Sequence, residues 1–204
     1  MKSSTFLLFI IAFFYCQVTH GQLTFSSPCN MNLPIPDNGC DTGFNFTYPL
    51  WVDGVGDSLG INADLLSVDL IVAHSQADDL SFYLVSPNGV MVDLCSNNGG
   101  GGNNFGNPSN PSCNATATLT STASTPITAA NAPVIGSFLP EGNFADFNDG
   151  SNPTGFWELK ICDEDGAGIG SLRYFALNFV GNIVCPLPSN TNSVAGINQA
   201  TLSW

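Results

Sequence analysis

Positive charge is almost missing from this chain. Of its three Lys and Arg residues, Lys2 lies at the extreme N-terminus, leaving Lys160 and Arg173. Those two face 16 Asp and Glu residues, a side-chain charge of −14 once residues 1–21 are set aside. Such a surface repels phosphate backbones and argues against a nucleic-acid partner. Long apolar runs are missing too, except near the start. Residues 6–15 are an apolar stretch behind Lys2, too short for a membrane span and of the length of a secretory signal peptide. The small residue Gly21 places cleavage after residue 21. The rest is expected to be exported, with no membrane span, to an extracellular or cell-surface location.

Histidine is equally scarce. Beyond the signal only His74 remains, so a Ser-His-Asp arrangement would have to use it. It ends an apolar run, where a packed, hydrogen-bonded ring is the natural role. There is no G-x-S-x-G elbow, no C-x-x-C, and no Lys-Ser/Thr after the glycine run 99–102 to make a phosphate-binding loop. No catalytic residue is assigned.

Six cysteines follow the signal: Cys29, Cys40, Cys95, Cys113, Cys162 and Cys185. An even number in an exported chain reads as disulfides. Six allow 15 pairings, and proximity along the chain suggests Cys29 with Cys40 and Cys95 with Cys113.

Period-2 alternation replaces any helical pattern. Trp157, Leu159 and Ile161 share one face, opposite Glu158 and Lys160. Phe175, Leu177 and Phe179 share another. Leu66, Val68, Leu70 and Val72 repeat the pattern, as do Leu80, Phe82 and Leu84, then Val90, Val92 and Leu94 after the turn at residues 86–89. Short alternating runs separated by Gly, Pro and Asn clusters predict an all-β, antiparallel sandwich. Residues 96–114 form a loop rich in Gly, Asn, Pro and Ser, long enough to be functional or mobile.

The order of motifs carries a family resemblance. Residues 132–142 (APVIGSFLPEG), 155–163 (GFWELKICD), 168–172 (GIGSL) and 175–179 (FALNF) follow one another. They resemble the "APF.G.F.PE", "G.W.L.V.D" and "G..G.L..W.L.F" pattern of the P domain (P/Homo B domain) of subtilisin-like proprotein convertases. Upstream, residues 35–39 (IPDNG), 68–75 (VDLIVAHS) and 79–89 (DLSFYLVSPNG) are similar to the family's opening and central strands, and residues 99–105 (GGGGNNF) to its glycine loop. The resemblance spans residues 29–181. It implies a jelly-roll sandwich of about eight strands and a histidine that lies outside any catalytic domain. It also implies a module that packs on a protease domain, stabilising it and tuning its calcium and pH dependence.

Residues 1–21 thus read as signal, 22–181 as the P/Homo B-like domain and 182–192, with CPLP at 185–188, as a linker. Residues 193–204 (SVAGINQATLSW) resemble the start of a fibronectin type III domain, which needs about a hundred residues, so the chain reads as part of a longer protein.

Carboxylates cluster at Asp163-Glu164-Asp165 and Asp78-Asp79. Both pairs flank strand ends, where turn formation explains them better than paired acid/base chemistry. Calcium fits them better, since Ca²⁺ takes six to eight oxygens and the resemblance implies calcium in some bacterial members. Asp163, Asp165, Asp79 and Asp93, with the amides of Asn97 and Asn103, are the candidate ligands. Asn45-Phe46-Thr47 and Asn114-Ala115-Thr116 match the glycosylation sequon. Three functions compete: an interaction or stabilising module of a secreted protein, the accessory domain of a serine-type endopeptidase, or a carbohydrate-binding jelly roll.

Overall fold

In the computed structural model, residues 19–37, 46–166, 168–183, 192–195 and 200–203 are described. They form strands β1(Thr19–Ser26), β2(Leu33–Ile35), β3(Phe46–Val52), β4(Ala63–His74), β5(Leu80–Val85), β6(Met91–Ser96), β7(Ala117–Thr120), β8(Gly136–Phe138), β9(Gly155–Asp163) and β10(Gly170–Ile183). β1 spans the expected cleavage point, so processing after Gly21 would leave residues 22–26 of it. The chain divides into two units, His20–Ile183 and the terminal segments Met1–Thr19 with Val184–Trp204. In the second, β11(Asn192–Ala195) pairs antiparallel with β12(Ala200–Ser203), the stretch that resembles a fibronectin start.

The larger unit holds two sheets. One runs β1-β10-β4-β7-β8 with β2 also on β10, and the other runs β3-β9-β5-β6. The all-β sandwich class expected from alternation is therefore what the chain adopts. Its strands number ten, two of them three residues long, and β8 pairs parallel to β7, so one sheet is mixed.

The core lies between the sheets. Trp157, Leu159, Phe175, Leu177 and Phe179 are fully buried. The Trp157 ring meets Phe147 and Phe179 edge-on at 5.0 and 5.3 Å. Its indole N–H donates to the Pro153 carbonyl at 2.9 Å, so no polar atom is stranded there. Burial of each such side chain contributes about 1.5–3 kcal/mol.

Three β-bulges decide which residues reach this core. In the β4–β10 ladder, Asn178 faces Ser67 and Phe179 faces Leu65, so Leu66 is the extra residue. Strict alternation put Leu66 in the core. The bulge turns Leu65 inward instead, leaving Leu66 half-buried. On β10, Arg173 is the extra residue between Leu172 and Tyr174. On β6, Leu94 is extra between Cys95 and Asp93, and both Leu94 and Cys95 are buried.

Residues 96–114 are pinned rather than loose. Phe105 exchanges backbone hydrogen bonds with Val72 at 2.8 and 3.0 Å. Its fully buried ring sits 4.8 Å from Phe82. Gly102 O accepts from Ala77, and Gly99 O from Ala132. Backbone polar groups close to a core need such partners.

The disulfide expectation needs correcting. Cys29 bonds to Cys113, with Cα atoms 5.9 Å apart and a sequence separation of 84. Neither Cys29–Cys40 nor Cys95–Cys113 forms. Sequence proximity fails because the sheet brings the segment after β1 beside the far end of the long loop. Cys95 is a free, buried thiol on β6, and Cys162 is disulfide-bonded. Cys40, Cys185 and Asn45 lie outside the described residues.

Candidate functional site around His74

His74 closes β4 and its side chain is fully buried. Two glycines make room for the ring. A Cβ on Gly168 would lie 2.6 Å from His74 Cε1, and one on Gly170 would lie 2.5 Å from Cδ2. Both distances are below van der Waals contact, so the glycines of the GIGSL segment serve to admit an imidazole.

Both ring nitrogens are engaged. Nε2 sits 2.9 Å from Asp163 Oδ2, and Nδ1 sits 2.5 Å from the Gln76 carbonyl oxygen. The Gln76 backbone N–H, 3.1 Å away, also points at Nδ1, so Gln76 can meet that nitrogen as donor or as acceptor. The Nε2–Oδ2 contact is buried on both sides. Burial pushes the Asp163 carboxyl above its ordinary range, His74 works against that shift, and Asp37 and Asp79 add to it. Asp163 Oδ1 is buried with no hydrogen-bond partner among the described residues.

Around this pair the acidic residues take separate roles. Asp79 accepts from Gln76 Nε2 at 3.3 and 3.0 Å, and its backbone carbonyl accepts from the Glu164 N–H. Ser81 Oγ donates to Glu164 Oε1 at 2.8 Å and also contacts Asn97 Oδ1 at 3.2 Å. Asp165 is exposed. Asp93 belongs to another cluster beyond β5, where Ser96 Oγ donates to its Oδ2 at 2.8 Å. Burial and the nearby Glu141 raise its pKa, against the Ser96 hydrogen bond.

Of the four candidate calcium ligands, then, Asp163 and Asp79 share one neighbourhood, while Asp93 and Asp165 are elsewhere. Of the two amides, Asn97 is tied to Ser81 and Asn103 lines a surface cleft. Among the described residues no group of three or more His, Cys, Asp or Glu side chains is placed to hold a metal ion. Sequence reading missed Gln76, which holds His74 and Asp79 together. It also missed Asn104, whose Oδ1 accepts from the His74 backbone N–H at 3.0 Å. Gln76 lies two residues from His74, but nothing in the sequence signals the bend that brings it back.

No Ser, Thr or Cys side chain among the described residues hydrogen-bonds to His74. The ring is thus a packed, hydrogen-bonded one in this structure.

Two solved structures resemble the chain. A serine protease of Aeromonas sobria in complex with a chaperone is 16% identical at a TM-score of 0.46, covering 80% of this chain and 27% of its own. The serine protease of Aeromonas sobria is 16% identical at a TM-score of 0.44, with the same coverage. The chain thus spans about a quarter of the length of either. No family model and no curated protein matches it. Among the described residues, no helix is long and apolar enough to cross a membrane.

Proposed function

We propose that this chain is a noncatalytic P/Homo B-type β-sandwich module of a secreted multidomain protein, acting in protein interaction or stabilisation. The observation that carries the reading is the state of its histidine. His74, the one histidine beyond residue 21, serves as a structural tie between Asp163 and Gln76. The motif order supports the family part of the reading. In its narrower form the module is the accessory domain of a subtilisin-like serine protease whose catalytic residues lie on other segments. The test exposes the purified chain to fluorescent casein and to a covalent serine-hydrolase probe. Neither turnover nor labelling is expected. Turnover lost on His74→Ala, in a variant that still melts cooperatively, overturns the reading.

Calcium at the Asp163–Asp79 neighbourhood belongs to the same proposal. The buried, unpartnered Asp163 Oδ1 supports it.

A second reading, carbohydrate binding, draws on the outer face of the β3–β9 pair. Trp51 and Phe156, opposite each other in register, are 51% and 56% exposed, with rings 5.0 Å apart. Exposed aromatic rings can stack on sugar faces. A glycan array with wild type and Trp51→Ala decides it, and no Trp51-dependent signal ends this reading.

A further inference from the structure

Pro34, Ser171 and Ala73 stand in register across β2, β10 and β4. They floor a cleft of about 570 Å³ at one end of the larger sheet. Leu172 points into the core, so Ser171 and the bulged Arg173 flank it on the outer face. Asn32, Ser75, Asn103, Asn104 and Ile169 form the walls, and Ile169 is 85% exposed. No Asp or Glu of the described residues lines this cleft.

Two of the amides that face it are left with only donors free. Asn104 Oδ1 already accepts from the His74 N–H, and Asn32 Oδ1 accepts from the Arg173 guanidinium at 2.8 Å. In both amides the acceptor end is engaged, and Nδ2 has no partner among the described residues. The side chains of Asn103, Ser75 and Ser171 likewise make no hydrogen bond there. Arg173 stands outside the lining and reaches the edge of the cleft through its Nη1–Asn32 hydrogen bond. Its Nε is buried without a partner, and no carboxylate of the described residues pairs with it. Lys160, by contrast, lies 3.5 Å from Glu158. β-Bulges re-aim side chains in this way.

We propose that this cleft binds the C-terminal carboxylate of an extended peptide. A carboxylate only accepts hydrogen bonds, and it matches the planar fork of a guanidinium. A single negative charge is the limit, because a chain at −14 repels polyanions and only one cation stands at the cleft's edge. No Phe, Tyr or Trp of the described residues lines the cleft to stack on a sugar, which disfavours an acidic saccharide. Peptide carbonyls answer the free amide and hydroxyl donors, and Ile35 and Ile169 offer apolar contact to a side chain. The proposal deepens the interaction reading by naming the partner's chemistry. Its test reads binding rather than the absence of catalysis, so the two can fail separately.

Calorimetric titration of the full chain would use N-acetylated Ala-Ala-Leu as free acid and as C-terminal amide, with trigalacturonate as a third ligand. The free acid should bind roughly tenfold or more tightly than the amide, the scale of a charge-assisted hydrogen bond. Arg173→Gln should remove that preference and Arg173→Lys should keep part of it. Asn103→Ala, on a side chain with no internal partner, should weaken both peptides without moving Tm, and it serves if Arg173→Gln does not fold. Equal affinity for acid and amide, no binding of either, or a preference that survives Arg173→Gln overturns the proposal. Arg173-dependent binding of trigalacturonate without peptide binding overturns the choice of a peptide.

Discussion

His74 shows how two glycines, a carboxylate and a backbone carbonyl turn a potential base into a buried tie. The same residue scale yields two predictions. Burial pushes the Cys95 thiol up to about 12, so almost no reactive thiolate exists near neutral pH. In the folded protein Cys95 should resist iodoacetamide at pH 8 and be alkylated only in urea. Mass analysis of native and denatured samples checks this, and rapid native labelling at Cys95 contradicts it. The second prediction concerns Asp163 and Asp93. Both carboxyls are raised above their ordinary value, chiefly by burial, so the folded state holds their protons more tightly than the unfolded chain. Their stabilising contribution is fully present below the unfolded pKa of about 3.9 and is lost as pH rises through the folded values. Urea unfolding should therefore show stability falling from pH 4 to 7 more steeply in wild type than in Asp163→Asn with Asp93→Asn. Parallel profiles would sink the argument.

At the scale of the element, alternation was readable wherever a strand stays regular. Trp157, Leu159 and Ile161 on β9, and Phe175, Leu177 and Phe179 on β10, face the core as their period-2 spacing requires. Leu177→Ala should cost about 2–5 kcal/mol, because a fully buried leucine leaves a cavity. Glu158→Ala, on the outer face of β9, should cost under about 0.5 kcal/mol. Its ion pair with Lys160 is partly exposed, and such pairs contribute little. Equal losses in urea midpoints would contradict the face assignment. Alternation failed at Leu66, because a bulge shifts the parity of every residue beyond it, and a one-residue insertion leaves no mark in residue type.

For the whole molecule, the near-absence of cations sets the behaviour toward ions. Calcium bound only by the folded state would raise stability by RT ln(1 + [L]/Kd), about 2.7 kcal/mol at one hundred times Kd. Screening of a −14 charge would also stabilise the protein, and magnesium at equal ionic strength measures that part. Mg²⁺ demands stricter octahedral geometry, so Tm should rise more with Ca²⁺, and Asp163→Asn should remove the difference. If the two ions act alike, the acids at these strand ends serve only turns and the His74 tie.

The sequence by itself determined the all-β class, because period-2 runs broken by Gly, Pro and Asn bury one apolar face against another sheet face. It also determined the acidity of the surface, and a glycine segment that leaves room for a ring. Only the tertiary structure decided that Cys29 meets Cys113, that Cys95 stays a thiol, and that His74 is closed off by Asp163 and Gln76. It also decided that Arg173 stands at the edge of a cleft with free amide donors. The disulfide and the His74–Asp163 contact join residues more than eighty positions apart through sheet order and bulges. Those are set by how the whole core packs, a property that no local stretch of residues encodes.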